Sequence, residues 1–221
     1  MKVFPRLSRP SRLSCLVLTL ILVPSLSAQA PTAVTTHNEA APVEIGDAIE
    51  ALLATGGERV AIGDRTLEFW WVKSLPLRSG TTESVWKSVE EGALVGAVKL
   101  SSVFSDVRGT PIKPGTYTLR YAVQPAGNRA RESLVLLPID ADSSVAALGH
   151  DMAIAMSKTV THTAFAAAWA IVPPAAVEAA RTVVRNGRQS VSVIFAVPVS
   201  RDGADAGSIK FGVRLPGLIP S

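Results

Sequence analysis

The chain has 221 residues, 48% of them hydrophobic, a formal net charge of +4 and a single cysteine. Four of its 22 basic residues and none of its 18 acidic residues lie in the first 30 positions, which we predict to be removed. The remaining chain is then neutral overall and long enough for one domain with one core, which excludes a nucleic-acid partner bound through a basic surface.

The first 30 residues have the layout of a secretory signal peptide. A basic segment precedes the apolar run 13–23 (LSCLVLTLILV), and small residues follow up to Ala30. The run is shorter than the roughly 20 residues that a transmembrane helix needs, so we expect export without a transmembrane segment in the mature chain. The mature protein should begin between Gln29 and Pro31, and we expect it in the periplasm or outside the cell.

Cys15 lies inside the apolar run rather than after it, so we do not expect it to carry a lipid. Its removal with the signal peptide leaves a mature chain free of cysteine. That chain has no disulfide, no thiolate zinc site and no cysteine nucleophile.

The mature chain is expected to begin with a flexible leader over residues 31–42, because this stretch is small, polar and bounded by prolines. A single domain should then occupy residues 43–221. Its first element is a predicted amphipathic helix over 43–54, whose apolar residues recur at helical spacing before Gly56 and Gly57.

Strand patterns dominate the rest of the chain. A hairpin with a turn at Gly63 and Asp64 is predicted first, and Asn186-Gly187 predicts a second, type I′ hairpin. The strands are expected over 59–62, 66–75, 93–104, 116–123, 133–138, 163–172, 182–185, 189–197 and 208–215. A second helix is predicted over 142–158, with Ser143 or Ser144 as its N-cap, and residues 175–181 are assigned to a strand. This pattern predicts a mostly β fold: a single antiparallel β-sandwich of about seven to nine strands, with one or two short peripheral helices.

The segment 112–119 (IKPGTYTL) resembles a turn-and-strand motif of secreted β-sandwiches. Similar segments occur in prealbumin-like and carboxypeptidase-regulatory-like domains and in exported bacterial proteins of unknown function, such as the DUF2911 type. In such a motif Pro114 and Gly115 form the turn, while Tyr117 and Leu119 face the core. The resemblance covers about 16 residues, 106–121, implies a sandwich fold and assigns no active site.

Candidate catalytic residues are few. His37 lies in the predicted leader, His150 lies within the second predicted helix next to Asp151, and His162 lies at the start of a predicted strand. Together with Asp140 and Asp151, the latter two are the candidates for a hydrolase site, but no G-x-S-x-G, H-E-x-x-H or P-loop pattern supports one. We favour surface or capping roles for the histidines.

The segment from Asp140 to Asp151 loosely resembles a calcium-binding loop. Position six is Val145, where an EF-hand requires glycine, so solvated turns are the preferred interpretation. The turn that contains Asp202 and Asp205 is interpreted in the same way. We expect no metal and no cofactor.

The aromatic run Phe69-Trp70-Trp71 is the feature that most favours a binding role. On a strand, Trp70 points away from its two neighbours, so it is either covered by the 43–54 helix, which we prefer, or exposed. Exposed, it would bind a glycan or a protein by stacking. Trp86 lies among polar residues and is the second candidate for such a surface, whereas Trp169 is expected in the core.

These observations favour an exported, non-enzymatic β-sandwich that binds an envelope protein or glycan, or that serves as a scaffold. The alternative is an exported hydrolase whose site is assembled from dispersed histidine and aspartate residues. A third hypothesis gives the 43–54 helix or the alanine-rich C-terminal half a role in self-assembly.

Overall fold

The computed structural model describes residues 33–80, 85–127, 129–173, 179–186 and 190–216. Within these ranges the chain forms 13 strands, two α-helices and one 3-10 helix, so the prediction of a mostly β fold is confirmed. The predicted signal peptide with Cys15, the turn at Gly187 and most of the strand assigned to 175–181 lie outside the described residues.

The strands occur along the whole described chain. Those of the first half are β1 Ala33–His37, β2 Gly57–Ile62, β3 Arg65–Trp71, β4 Leu75–Leu77, β5 Leu94–Leu100, β6 Phe104–Ser105, β7 Pro111–Ile112 and β8 Gly115–Ala126. Those of the second half are β9 Arg129–Pro138, β10 Ala168–Val172, β11 Val183–Asn186, β12 Ser190–Arg201 and β13 Ala204–Pro216. The helices are α1 Asp47–Glu50, the 3-10 helix Val85–Ser88 and α2 His150–Thr161.

Ten strands follow one another in a single antiparallel path, in the order β1-β2-β3-β5-β8-β9-β10-β13-β12-β11. The short strand β4 pairs in parallel with the end of β12, while β6 and β7 form a separate two-stranded ribbon. Because β4 directly follows β3, its pairing with β12 joins the beginning of the path to its far end. The sheet is therefore curled into a half-barrel, and its strands outnumber the predicted seven to nine.

Aromatic rings fill the inner face of the curled sheet. Phe69 and Trp71 alternate along β3, stack on each other at 5.2 Å and meet Phe195 of β12 at 4.9 and 4.7 Å between ring centroids. Trp71 also contacts Phe211 of β13 at 5.4 Å, and Trp169 of β10, the predicted core residue, lies 6.1 Å from Phe69. Each such ring stabilises the fold by about 1.5–3 kcal/mol through burial, so this cluster is the main core.

The outgoing strand predicted within 112–119 is confirmed, although Gly115, assigned to the turn, already belongs to β8 and pairs with Leu100. Tyr117 and Leu119 are buried on the core side of β8, and the Tyr117 hydroxyl donates to the carbonyl oxygen of Lys113 at 3.0 Å. The intervening residues Thr118 and Arg120 are also buried, on the opposite face of the sheet. Both faces of this strand are therefore covered.

Arg120 is 0% exposed and fastens the segment that precedes α2 to the outer face of the sheet. Its Nε and Nη2 donate to the two carboxylate oxygens of Asp142 at 2.7 and 2.8 Å, and Thr118 donates to the same carboxylate. The guanidinium also donates to three backbone carbonyl oxygens, those of Gly92, Ser144 and Ala146. This paired and satisfied network fixes residues 142–147 in place.

The bounds predicted for the two helices need correction. Helix α2 begins at His150 instead of residue 142, because Gly149 has φ of 74° and the preceding residues are held by Arg120. Helix α1 is a single turn, because Leu53 pairs with Val72 in an isolated β-bridge that ends the helical path. Neither helix of the described residues combines the length and the apolar character required to cross a membrane.

The leader predicted over 31–42 is also corrected, since residues 33–37 form β1. This strand pairs with β2 in antiparallel register, with Ala33 opposite Ala61 and His37 opposite Gly57. The segment contains the strand-favouring residues Val34, Thr35 and Thr36, but the small, polar residues and the prolines around them favoured a flexible leader.

Candidate functional site

The predicted aromatic surface is not formed, because both of its tryptophans are buried. Trp70 is 1% exposed; its indole donates to the carbonyl oxygen of Glu39 at 3.0 Å and meets the edge of His37 at 5.2 Å. Trp70 is therefore covered, which agrees with the preferred interpretation, and the chain between β1 and α1 supplies the contact through Glu39. Trp86 is 6% exposed and stacks on Tyr121 at 5.4 Å, so its polar sequence neighbours were misleading.

The residues considered for a hydrolase do not come together. His150 begins α2 and His162 is its C-cap, so their backbones lie about 18 Å apart along the helix. The Nδ1 atom of His150 contacts Glu91 on the neighbouring segment, while Asp140 and Asp151 are exposed. A general acid and a general base must reach one substrate, and this set does not meet that condition.

The segment from Asp140 to Asp151, which resembles a calcium-binding loop, has a structural role. Both carboxylate oxygens of Asp142 accept hydrogen bonds from Arg120, which leaves this acid fully engaged. Among the residues that the structure describes, no three acidic, histidine or cysteine side chains are grouped as metal ligands.

An apolar cleft of about 620 Å³ lies at the end of the half-barrel where the β3–β4 connection passes the start of β5. Most of its wall is aliphatic, and two wall residues, Leu52 and Val145, are large hydrophobic side chains exposed to solvent. The wall consists of Ala51, Leu52, Val72, Lys73, Ser74, Pro76, Leu77, Arg78, Glu90, Ala93, Leu94, Val145, Ala146, Ala147 and Ser200. Its volume falls in the range of ligand-binding sites, about 300–1,000 Å³.

A second, polar cavity of about 270 Å³ lies where the start of β2 faces β12 across the curl of the sheet. Its wall brings the ionisable side chains of Glu58, His37 and Arg181 together with small residues of β12. The two cavities share Val72 and Lys73.

Glu58 is the buried acid of this polar cavity, with only 6% of its surface exposed. Its Oε2 accepts a hydrogen bond from the indole of Trp71 at 2.6 Å, and its Oε1 forms an ion pair with Nε of Arg181 at 3.4 Å. Burial raises the pKa of Glu58, although the indole and the charges of Arg181 and His37 oppose that shift. A carboxyl group of this kind takes up a proton more readily than an ordinary glutamate.

His37 brings an imidazole to the same cavity. Neither of its ring nitrogens has a hydrogen-bond partner among the described residues, although both are shielded from solvent. The ring is close to the backbone of β2 because the facing residue is glycine: a Cβ on Gly57 would lie 3.1 Å from Nε2 and 2.0 Å from the carbonyl oxygen of Phe69. A buried nitrogen without a partner costs about 1–3 kcal/mol, and both nitrogens of His37 carry this cost beside the cavity.

Arg181 is held at the cavity by an unusual backbone. Its φ is 66°, in the left-handed region that a residue with a side chain rarely adopts. Its N–H donates to the carbonyl oxygen of Ile194 at 2.7 Å, and the N–H of Ile194 donates to Thr182 at 2.9 Å. These bonds to β12 stabilise the strained conformation that places the guanidinium beside Glu58.

Neither Glu58 nor Arg181 stands out in the sequence as a candidate site residue, and His37 lies in the predicted leader. They lie on three separate segments, and no fixed spacing connects them. The Gly56-Gly57 pair was the available signal, since two glycines before a strand indicate a close approach of another part of the chain.

We expect Glu58→Gln to remove a pH dependence of stability. Because the pKa of Glu58 is raised on folding, the wild type should lose stability as the pH rises from about pH 4 through the folded-state titration. The glutamine side chain keeps an acceptor for Trp71 but carries no charge. The stability of the variant should therefore rise relative to that of the wild type over that pH interval. Urea unfolding across pH measures the difference. Glu44→Gln, at an exposed position, is the matched control and should follow the wild type.

Comparison of this chain with family models, with curated proteins and with solved structures gives no match in any of the three.

Proposed function

We propose that this protein is an exported, non-enzymatic binding protein of the cell envelope that holds an apolar ligand with an acidic head group in the cleft beside β4. The observation that carries this proposal is the cleft of about 620 Å³ with a mainly aliphatic wall. The curled sheet serves as a sandwich-like scaffold that presents it. Since Trp70 and Trp86 are buried, the cleft replaces the aromatic surface as the binding feature.

The exposed residues of the cleft support an apolar ligand. Leu52 is 38% and Val145 is 53% exposed, and both border the same opening. An alkyl chain lying against them gains about 0.8 kcal/mol for each methylene removed from water. The free ends of both side chains therefore favour an elongated aliphatic group over a compact polar one.

The charges at the cleft support an acidic head group. Lys73 and Arg78 lie in the wall with one acid, Glu90. The two cations donate to backbone carbonyl oxygens, Lys73 to Ala51 at 2.7 Å and Arg78 to Lys87 at 3.1 Å, and these bonds leave their positive charges in place. A carboxylate at the mouth of the cleft would be attracted by the net positive charge of these three side chains.

The test is binding of saturated fatty acids to the purified mature protein, measured by displacement of anilinonaphthalene sulfonate. From octanoate to dodecanoate, affinity should rise about fourfold with each added methylene. Ala146→Trp should fill the cleft and abolish binding, while Ala130→Trp, on the exposed part of β9, should not. Affinity that does not depend on chain length, or equal binding by both variants, would overturn the proposal.

The head group is tested separately with Arg78→Gln. The variant should bind dodecanoate more weakly and bind dodecanol, the uncharged analogue, as the wild type does. Equal loss for both ligands would show that Arg78 shapes the cleft and does not attract the acid.

A further inference from the structure

We propose that the polar cavity formed by His37, Glu58 and Arg181 is a second binding site, which takes a small organic carboxylate. Its volume of about 270 Å³ suits a molecule of a few carbon atoms. The long alkyl chain proposed for the apolar cleft is a different ligand, and the two sites are tested independently.

The charge of the cavity favours an anion. Arg181 and Lys73 are both in its wall, whereas Glu58 is its one acidic residue among the described residues. The ion pair of Arg181 with Glu58 is long, with Nε 3.4 Å from Oε1, and the Arg181 side chain is 52% exposed. A guanidinium exposed to this extent can also bind the carboxylate of a ligand through two parallel hydrogen bonds.

His37 supplies the groups that distinguish a small acid from a bare ion. In a neutral imidazole one nitrogen donates and the other accepts, and both nitrogens of His37 lack partners among the described residues. Because both nitrogens are shielded from solvent, they reach a ligand only if the imidazole turns toward the cavity. A carboxylate oxygen then satisfies the donor, a hydroxyl group on the adjacent carbon satisfies the acceptor, and a 2-hydroxy acid such as lactate provides both groups.

Glu58 makes this binding depend on pH. The groups that face it are His37 on β1, Trp71 on β3, Lys73 after β3 and Arg181 before β11, while the facing residues of β12 do not titrate. Ionised Glu58 repels an anionic ligand, whereas protonated Glu58 donates a hydrogen bond to it. Burial already raises the pKa of Glu58, so protonation on binding requires a smaller further change.

The experiment is calorimetric titration of the mature protein with lactate at about pH 5 and about pH 8, with lactamide as the neutral analogue. We expect lactate to bind more tightly at the lower pH and lactamide not to bind. Glu58→Gln, which imitates the protonated acid, should show a smaller difference in lactate affinity between the two pH values than the wild type. Absence of lactate binding at either pH, or equal binding of lactamide, would overturn the proposal.

Arg181→Gln should weaken lactate binding at least about tenfold, which corresponds to about 1.4 kcal/mol. Arg181→Lys, which keeps the charge but loses the two parallel donors, should fall between the glutamine variant and the wild type. Arg185→Gln, an exposed arginine on the neighbouring strand β11, is the matched control and should bind as the wild type. Wild-type affinity in Arg181→Gln would contradict the site.

The two proposed sites can fail separately. Ala146→Trp, which fills the apolar cleft, should leave lactate binding unchanged, because Ala146 does not line the polar cavity. Arg181→Gln should in turn leave dodecanoate binding unchanged. If one variant abolishes both, the sites are one, and the second site is refuted.

Discussion

Replacing Asp142 by asparagine should lower the free energy of unfolding by about 3–5 kcal/mol, the usual cost of removing one partner of a buried ion pair. The loss is large because Arg120, at 0% exposure, would keep its charge with no carboxylate to balance it. Denaturation by urea, followed through tryptophan fluorescence, measures the change. The segment 142–147 also loses its anchor, so the variant should bind dodecanoate more weakly through disorder of Val145 and Ala146 in the cleft wall.

Asp140→Asn provides the matched control. Asp140 is exposed two residues earlier, and its replacement should change stability by less than about 0.5 kcal/mol. The double variant Arg120→Met and Asp142→Leu should be closer to the wild type than Asp142→Asn, because no charge remains buried. Equal destabilisation by Asp140→Asn and Asp142→Asn would show that the ion pair does not hold this segment.

Phe195→Ala should destabilise the protein by about 3–5 kcal/mol, because it opens a cavity at the centre of the aromatic core. The Phe195 ring contacts Phe69, Trp71 and Phe211, which belong to strands from both ends of the sheet path. Its loss therefore weakens the contact that keeps the sheet curled. The readout is the urea midpoint at constant slope, which separates loss of stability from a change in the unfolded state.

Phe165→Ala removes the same side chain from an exposed position. Phe165 is 56% exposed, and its ring receives the guanidinium of Arg108 at 4.8 Å. An exposed contact of this kind is worth about 0.5–1 kcal/mol, so this variant should stay within that range. A loss as large as that of Phe195→Ala would mean that the core is not centred on β3, β12 and β13.

Elements with a local signal could be predicted from the sequence. The β2–β3 hairpin follows from strand residues on both sides of Gly63 and Asp64, and Tyr117 and Leu119 alternate into the core as expected. The antiparallel pairing of β11 with β12 is confirmed, but Asn186 lies in β11 opposite Ser190 and not at the centre of the predicted type I′ turn. These features depend on residues that are close together in the chain, so the local sequence pattern predicts them.

Features that depend on distant contacts could not be predicted. Arg120 was part of an alternating strand, and only the fold brings Asp142 onto the face where the guanidinium is buried. Trp86 among polar residues suggested exposure, but the stacking partner Tyr121 lies on another strand. The polar cavity could not be predicted for the same reason, because Glu58 and Arg181 meet only after the sheet has curled.

The curl of the sheet also has a consequence for the order of folding. Phe69 and Trp71 belong to the first third of the chain, while their partners Phe195 and Phe211 lie on the last hairpin. A growing or truncated chain that lacks β12 and β13 therefore presents an uncovered aromatic face. Contacts between such distant segments slow the formation of the native state and favour aggregation before it is complete. The aromatic core therefore forms only once β12 and β13 are present.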